Sequence, residues 1–172
     1  MSGFTIGPLS PDQIHTVYPL IREAVPSLDL AGWVRFARQL IGPRWRPRRD
    51  AQGGIIAIRR DGRDFPCGLF CYRVEEDLKL GRVLTADHFV AVDLLDPAAV
   101  LAALVAELDA LAQRLDCRAV RGVVHGGSPD LAGGLAAAGH RPEASLLLKR
   151  LLEASPGTEP GKGVGDGRML AG

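Results

Sequence analysis

The chain has 172 residues, 47% of them hydrophobic and 24% charged, with a formal net charge of +1 at pH 7. That length and balance suit one soluble globular domain with one sizeable core. They argue against nucleic acid or an anionic membrane surface as an obligatory partner, because either usually leaves a basic footprint over a whole domain.

The opening MSGFTIGPLSPDQ has neither a basic start nor an apolar core of leader length, and no later apolar run approaches the ~20 residues that span a bilayer. The expected location is therefore the cytoplasm. Phe4-Thr5-Ile6 reads as a short edge strand. Ser10-Pro11-Asp12 then makes a helix start, with a capping serine, proline at the first helical position and an acidic residue next. A helix is expected from Pro11 to Ala24, with Ile14, Val17, Tyr18 and Ile21 turned inward and Arg22 and Glu23 turned to water. A second helix places Leu30, Trp33, Val34, Ala37, Leu40 and Ile41 on one face and Arg35, Arg38 and Gln39 on the other, and it stops at Gly42-Pro43. Arg44 to Asp50, RWRPRRD, is the only concentrated charge run. It reads as a solvated loop; the alternative is a patch in which Trp45 stacks a ligand among Arg44, Arg46, Arg48 and Arg49.

From Gly53 the apolar period shortens to that of strands. Ile55 to Ile58 and Cys67 to Val74 form an expected antiparallel hairpin around Asp61-Gly62-Arg63-Asp64. Glu75-Glu76-Asp77 reads as a polar turn, after which Leu78 and Leu80 lead into Arg82-Val83-Leu84. The near-continuous apolar run Phe89 to Leu95 suits a central strand covered on both faces. Asp96 is a good N-cap and Pro97 a good first helical residue, and Val100, Leu101, Leu104, Val105, Leu108, Leu111, Ala112 and Leu115 then form one broad apolar stripe. Ala119 to Val124 follows as a strand, so the unit is expected to hold parallel strands joined by a right-handed crossover. Ser128-Pro129 opens a short helix through Ala138, and Ser145 to Leu152 is a last strand. Residues 1–154 are read as a single domain, and residues 155–172, poor in apolar content, as a flexible tail.

Cys67 and Cys71, four apart on one strand, lie roughly 13 Å from each other, too far for a disulfide. With Cys117 they are read as reduced, and neither they nor the four scattered histidines form a metal-ligand pattern.

The order of elements, together with LVAELDALAQRLDC from Leu104 to Cys117, the segment Ser128 to Glu143 and the strand SLLLKRL, resembles the GNAT superfamily of acetyl-CoA-dependent N-acyltransferases. The resemblance covers most of residues 3 to 152. It implies an α/β fold with a mixed central sheet flanked by helices, acetyl-CoA or another acyl-CoA as cofactor, and a small-molecule or peptide amine as acceptor. It also implies a glycine-containing Gln/Arg-x-x-Gly-x-Gly/Ala signature whose main-chain N–H groups cradle the CoA pyrophosphate. Here Asp96 stands at the Gln/Arg position, Ala99 at the first glycine and Leu101 at the second. Asp96 brings a negative charge, Pro97 removes a donor and Leu101 adds bulk. Leu135 stands where many members carry a tyrosine that protonates the leaving thiolate.

In a parallel strand-helix-strand unit, ligands gather at the carboxyl ends of the strands. That rule favours His125 and Asp93 as candidate bases and sets His88 at the opposite end. The main chain of Ala91, Val92, Asp93 and Leu94 is the candidate support for the pantetheine arm. Two functions stay open: acyl transfer to an amine, or a non-catalytic binding or homodimerisation module that keeps the fold.

Overall fold

The computed structural model describes residues 3–42, 52–93, 96–125, 128–143 and 149. Met1–Arg141 forms one compact unit and Pro142–Gly172 a second, whose described residues carry no helix or strand. The tail from residue 155, the arginine-rich run at Arg44 to Asp50 and, apart from Lys149, the expected strand at Ser145 to Leu152 lie outside the described residues.

Among the described residues, the first unit is built on a five-stranded sheet in which each strand lies beside its sequence neighbours. Its strands are β1 (Phe4–Pro8), β2 (Gly53–Arg60), β3 (Pro66–Asp77), β4 (Gly81–Ala91) and β5 (Ala119–Gly122). The first three pairings are antiparallel and the last, β4 with β5, is parallel. Between β4 and β5 runs α3 (Pro97–Arg114), so the expected crossover unit is present. On one face α3 and α4 (Pro129–Ala137) bury Leu104, Leu108, Leu111 and Leu135 against Ile56, Ile58, Phe70 and Leu84. On the other, α1 (Tyr18–Ala24) and α2 (Leu30–Ile41) bury Ile21, Trp33, Ala37 and Ile41 against Ile55, Leu69, Cys71 and Val90. Burying Ile55 and Ile56 on opposite faces is what the two-residue strand period requires of a sheet covered on both sides.

Three local readings change. The single helix expected from Pro11 to Ala24 is a 3-10 turn at Pro11–Gln13 and then α1. Pro19 has no N–H, and its ring would meet the carbonyl of His15 in a continuous helix. Tighter bonds bridge the gap instead, Thr16 N–H to Gln13 O at 3.0 Å and Tyr18 N–H to His15 O at 3.3 Å. Ile14, Val17 and Ile21 still face inward. Glu75, Glu76 and Asp77 belong to β3, and the turn comes after them. Asp77 Oδ1 accepts from the amides of Lys79 and Leu80 at 2.8 and 3.1 Å, which closes the hairpin. Finally, Arg82-Val83-Leu84 and Phe89 to Ala91 are one strand, because β4 continues through a bulge.

Candidate functional site

That bulge makes the site. Cys71 pairs with Asp87 but Leu69 pairs with Val90, so His88 and Phe89 share the single position opposite Phe70. His88 absorbs the extra residue with φ of +51°, a left-handed conformation that histidine adopts more readily than most side chains. Because the strand period is two, the insertion exchanges the faces. Leu84 and Ala86 point to the α3 side upstream of it, whereas Phe89 and Ala91 do so downstream.

The bulge also bends β4 away from its parallel neighbour. β5 pairs with β4 only from Val83 to Ala86, and the last bond between them is Val123 N–H to Ala86 O at 2.8 Å. Downstream, Val92 N–H donates to Cys67 O at 2.7 Å on the β3 side. Alternate residues of an antiparallel ladder turn their main-chain groups to opposite edges. The polar groups of Val90 and Val92 therefore serve β3, and those of Phe89 and Ala91 face the edge that β5 has left. Of the four residues expected to support a pantetheine arm, Ala91 faces the opening, the Val92 amide is already bonded to β3, Asp93 belongs to the turn described below, and Leu94 lies outside the described residues.

Beside the opening lies a groove of about 1110 Å³ between β4, α3 and α4. Phe89, Ala91, Leu101, Val105 and Leu131 give it an apolar wall. Its charged lining among the described residues consists of Glu23, Asp109 and Asp130, with no arginine, lysine or histidine. Gly122, the last residue of β5, is needed here, since a Cβ on it would come within 2.8 Å of a Leu135 methyl. Gly133 and Gly134 are not required by space in this way: a Cβ on Gly133 would meet nothing within 4 Å, and one on Gly134 would make ordinary contact with Leu101 at 3.6 Å.

The directional sorting of the histidines also changes. His88 is not ahead of the strand but inside β4 at the bulge, where its ring stacks on that of His125 at 5.4 Å with planes 15° apart. Phe36 of α2 supports it edge-on at 5.8 Å, and Asp87 Oδ2 lies 3.9 Å from His88 Nε2. His125 is exposed just beyond β5, so the stacked pair spans the two strands where they part. No sequence rule pairs these residues, because 36 intervening residues and an αL backbone bring them together; the only sequence sign was two histidines flanking one crossover unit.

Asp93 is placed differently. It lies just past β4, and its carboxylate receives Nε and Nη2 of Arg60, each at 3.0 Å, with side chains 9% and 15% exposed. Its other oxygen accepts the Asp96 amide at 3.0 Å. Asp96 in turn accepts the Ala99 amide at 2.9 Å, and Pro97 has no amide to offer. Arg60, Asp93 and Asp96 thus form a relay that holds the β4–α3 turn and places a carboxylate on the helix N-terminus. A helix N-terminus receives an anion through its free amides and positive end, and here a side chain of the same sign already sits there. The opening suits a pantetheine arm; the helix start does not suit the diphosphate of acetyl-CoA.

The remaining reactive groups lie in the core. Burial pushes the thiols of Cys67, Cys71 and Cys117 above their ordinary range, and the Tyr72 hydroxyl to about 12. All three cysteines are unbridged. Among the described residues no group of histidine, cysteine and carboxylate side chains converges as metal ligands would, and no helix is long and apolar enough to cross a membrane.

By sequence, neither a family profile nor a characterised protein matches the chain. By structure it is similar to aminoglycoside N-acetyltransferase AAC(6')-Iy in complex with CoA, at a TM-score of 0.70 and 11% identity over 87% of this chain and 95% of the other. A ribosomal-protein-alanine N-acetyltransferase from Brucella melitensis biovar Abortus 2308 gives 0.69 at 16% identity, over 87% and 99% of the two chains. A glucosamine-6-phosphate N-acetyltransferase from Arabidopsis thaliana gives 0.66 at 11% identity, over 87% and 99%.

Proposed function

Since the chain has the GNAT fold, shared with these acetyltransferase structures, we propose that it binds an acyl thioester along the open half of β4 and passes the acyl group to an amine. The observation that carries this reading is the parting of β4 and β5 at His88, which leaves main-chain groups of Phe89 and Ala91 facing a groove of about 1110 Å³. In the transfer, the amine nitrogen forms a bond to the thioester carbonyl carbon and the carbon–sulfur bond breaks, with the pair leaving on sulfur. The proton lost by the amine goes to a ring nitrogen of His125, exposed at the mouth of the opening and oriented by the His88 ring. Of the two sequence candidates His125 is the base; Asp93, held by Arg60, is a positioning residue. Leu135 is buried and has no proton to give, so solvent protonates the sulfur. The protein works in the cytoplasm, and its domain extends to about residue 154, a limit that limited proteolysis locates.

The test is a thermal shift and an acetylation assay over a panel of primary amines, with acetylpantetheine and acetyl-CoA as donors. A ligand at a hundred times its Kd adds about 2.7 kcal/mol to stability. His125→Ala is expected to lower kcat about a hundredfold with little change in KM. Absence of both transfer and thermal shift with every thioester would sink this reading. The second reading, a non-catalytic binding or dimerisation module, is favoured by the Asp96 cap and by Leu135. It predicts no transfer and a stable dimer by sedimentation.

A further inference from the structure

We propose that the thioester this groove accepts is an acyl-pantetheine arm presented without the adenosine diphosphate of CoA. This rests on the acyl-transfer reading above and names its donor. Two separate parts of the site exclude the nucleotide. At the start of α3, the Asp96 carboxylate occupies the Ala99 amide at 2.9 Å, and the Asp93 carboxylate behind it is fixed by the hydrogen bond from Arg60 Nε and the ion pair with Nη2. Asp96 cannot turn away at no cost, because its own amide is held by Asp93 and its departure uncaps the helix. Along the groove, the charged lining among the described residues is Glu23, Asp109 and Asp130, spread over α1, α3 and α4, so a diphosphate laid against the helices meets like charge. The cation behind the turn, Arg60, is already bonded to Asp93.

What the groove does offer matches the arm. Pantetheine is uncharged, extended and lined with amides, and β4 presents alternate main-chain groups from Phe89 and Ala91 beside the apolar side chains of Leu101, Val105 and Leu131. The arm reaches such a site either as a free thioester or attached to an acyl carrier protein. The shared chemistry is the uncharged thioester arm.

Calorimetric titration of the whole chain decides it, with S-acetylpantetheine, acetyl-CoA and an acetylated carrier protein as titrants. At low ionic strength acetylpantetheine is expected to bind at least about tenfold tighter than acetyl-CoA. Raising the salt from about 0.01 M to about 0.15 M shortens the Debye length and narrows the difference. Asp96→Asn keeps the cap and removes the charge, and is expected to tighten acetyl-CoA about tenfold while leaving acetylpantetheine unchanged. A carrier protein that binds tighter than the free arm identifies the protein-borne source, and an equal or weaker Kd the free one. If acetyl-CoA binds the unaltered chain as tightly as acetylpantetheine or tighter, the proposal fails and the acyl-transfer reading survives. If none of the three binds at millimolar concentration, both fall.

Discussion

The two halves of β4 are made from similar residues and meet different fates. From Val83 to Ala86 the strand is paired on both edges, to β3 and to β5, and Val83, Leu84 and Ala86 are fully buried. Among the described residues it is paired from Phe89 to Ala91 on one edge only, and Val92 just beyond is 43% exposed. What separates them is one inserted residue, His88, held in a left-handed conformation. A paired strand satisfies its own polar groups and so contributes stability; an unpaired edge leaves them to a ligand. The opening exists because the described pairing of β4 with β5 stops at Ala86.

Removing His88 should break that division most severely. The deletion restores a regular ladder with Phe89 alone opposite Phe70 and both Phe89 and Val90 on their present faces, so urea unfolding is expected to change little while thioester binding weakens at least about tenfold. A stable protein with unchanged ligand binding would show that the bulge does not define the site. Next comes the contrast between the halves. Leu84→Ala is expected to cost about 3 kcal/mol, and Val92→Ala less than about 0.5 kcal/mol, by the same measurement. Equal effects would mean that the open half contributes to the core as strongly as the closed one. Gly133→Ala, on the groove side of α4, should stabilise the protein by about 0.5–1 kcal/mol, since the helix gains a better former and the new Cβ meets nothing.

The smallest effect lies at the hairpin that begins β4. The amides of Lys79 and Leu80, and then the Arg121 side chain, hold the Asp77 carboxyl below its usual range. Its folded-state value is thus lower than its unfolded one, so its contribution is present above the ordinary carboxylate pKa of about 3.9 and is lost as pH falls through the folded value. Asp77→Ala should therefore lower the thermal midpoint at pH 7 and leave it unchanged near pH 2. A difference that persists at low pH would assign the effect to the turn geometry and not to the charge.

Much of this architecture was legible from local pattern. The α3 stripe from Val100 to Leu115 is buried as its spacing indicated, except Leu101, which is half-buried at the groove, and Asp96 caps that helix. The hairpin of β2 and β3 and the two-helix segment before it also follow their apolar periods, except where Pro19 interrupts and at Leu30, which is exposed. The strand boundaries were less legible. Glu75 to Asp77 are polar yet extend β3, because the edge of a long hairpin tolerates solvated side chains.

The candidate site divides in the same way. Asp96 at a helix start carries its meaning within four residues, so its capping of the Ala99 amide could be read from the chain alone. Asp93 could not be assigned, because its partner Arg60 comes from another strand 33 residues away. His88 was set at the wrong end of its strand because a bulge has no local sequence sign when the αL residue is not glycine.

By itself the sequence determined the elements whose causes lie within a few residues: amphipathic helices, caps, the hairpin and the crossover unit. Only the tertiary structure decided where the sheet stops being a sheet. Bulge, strand parting, stacked histidines and acidic groove all depend on register between strands and on helices packed across them, and register is a relation between distant segments that no single stretch of chain encodes.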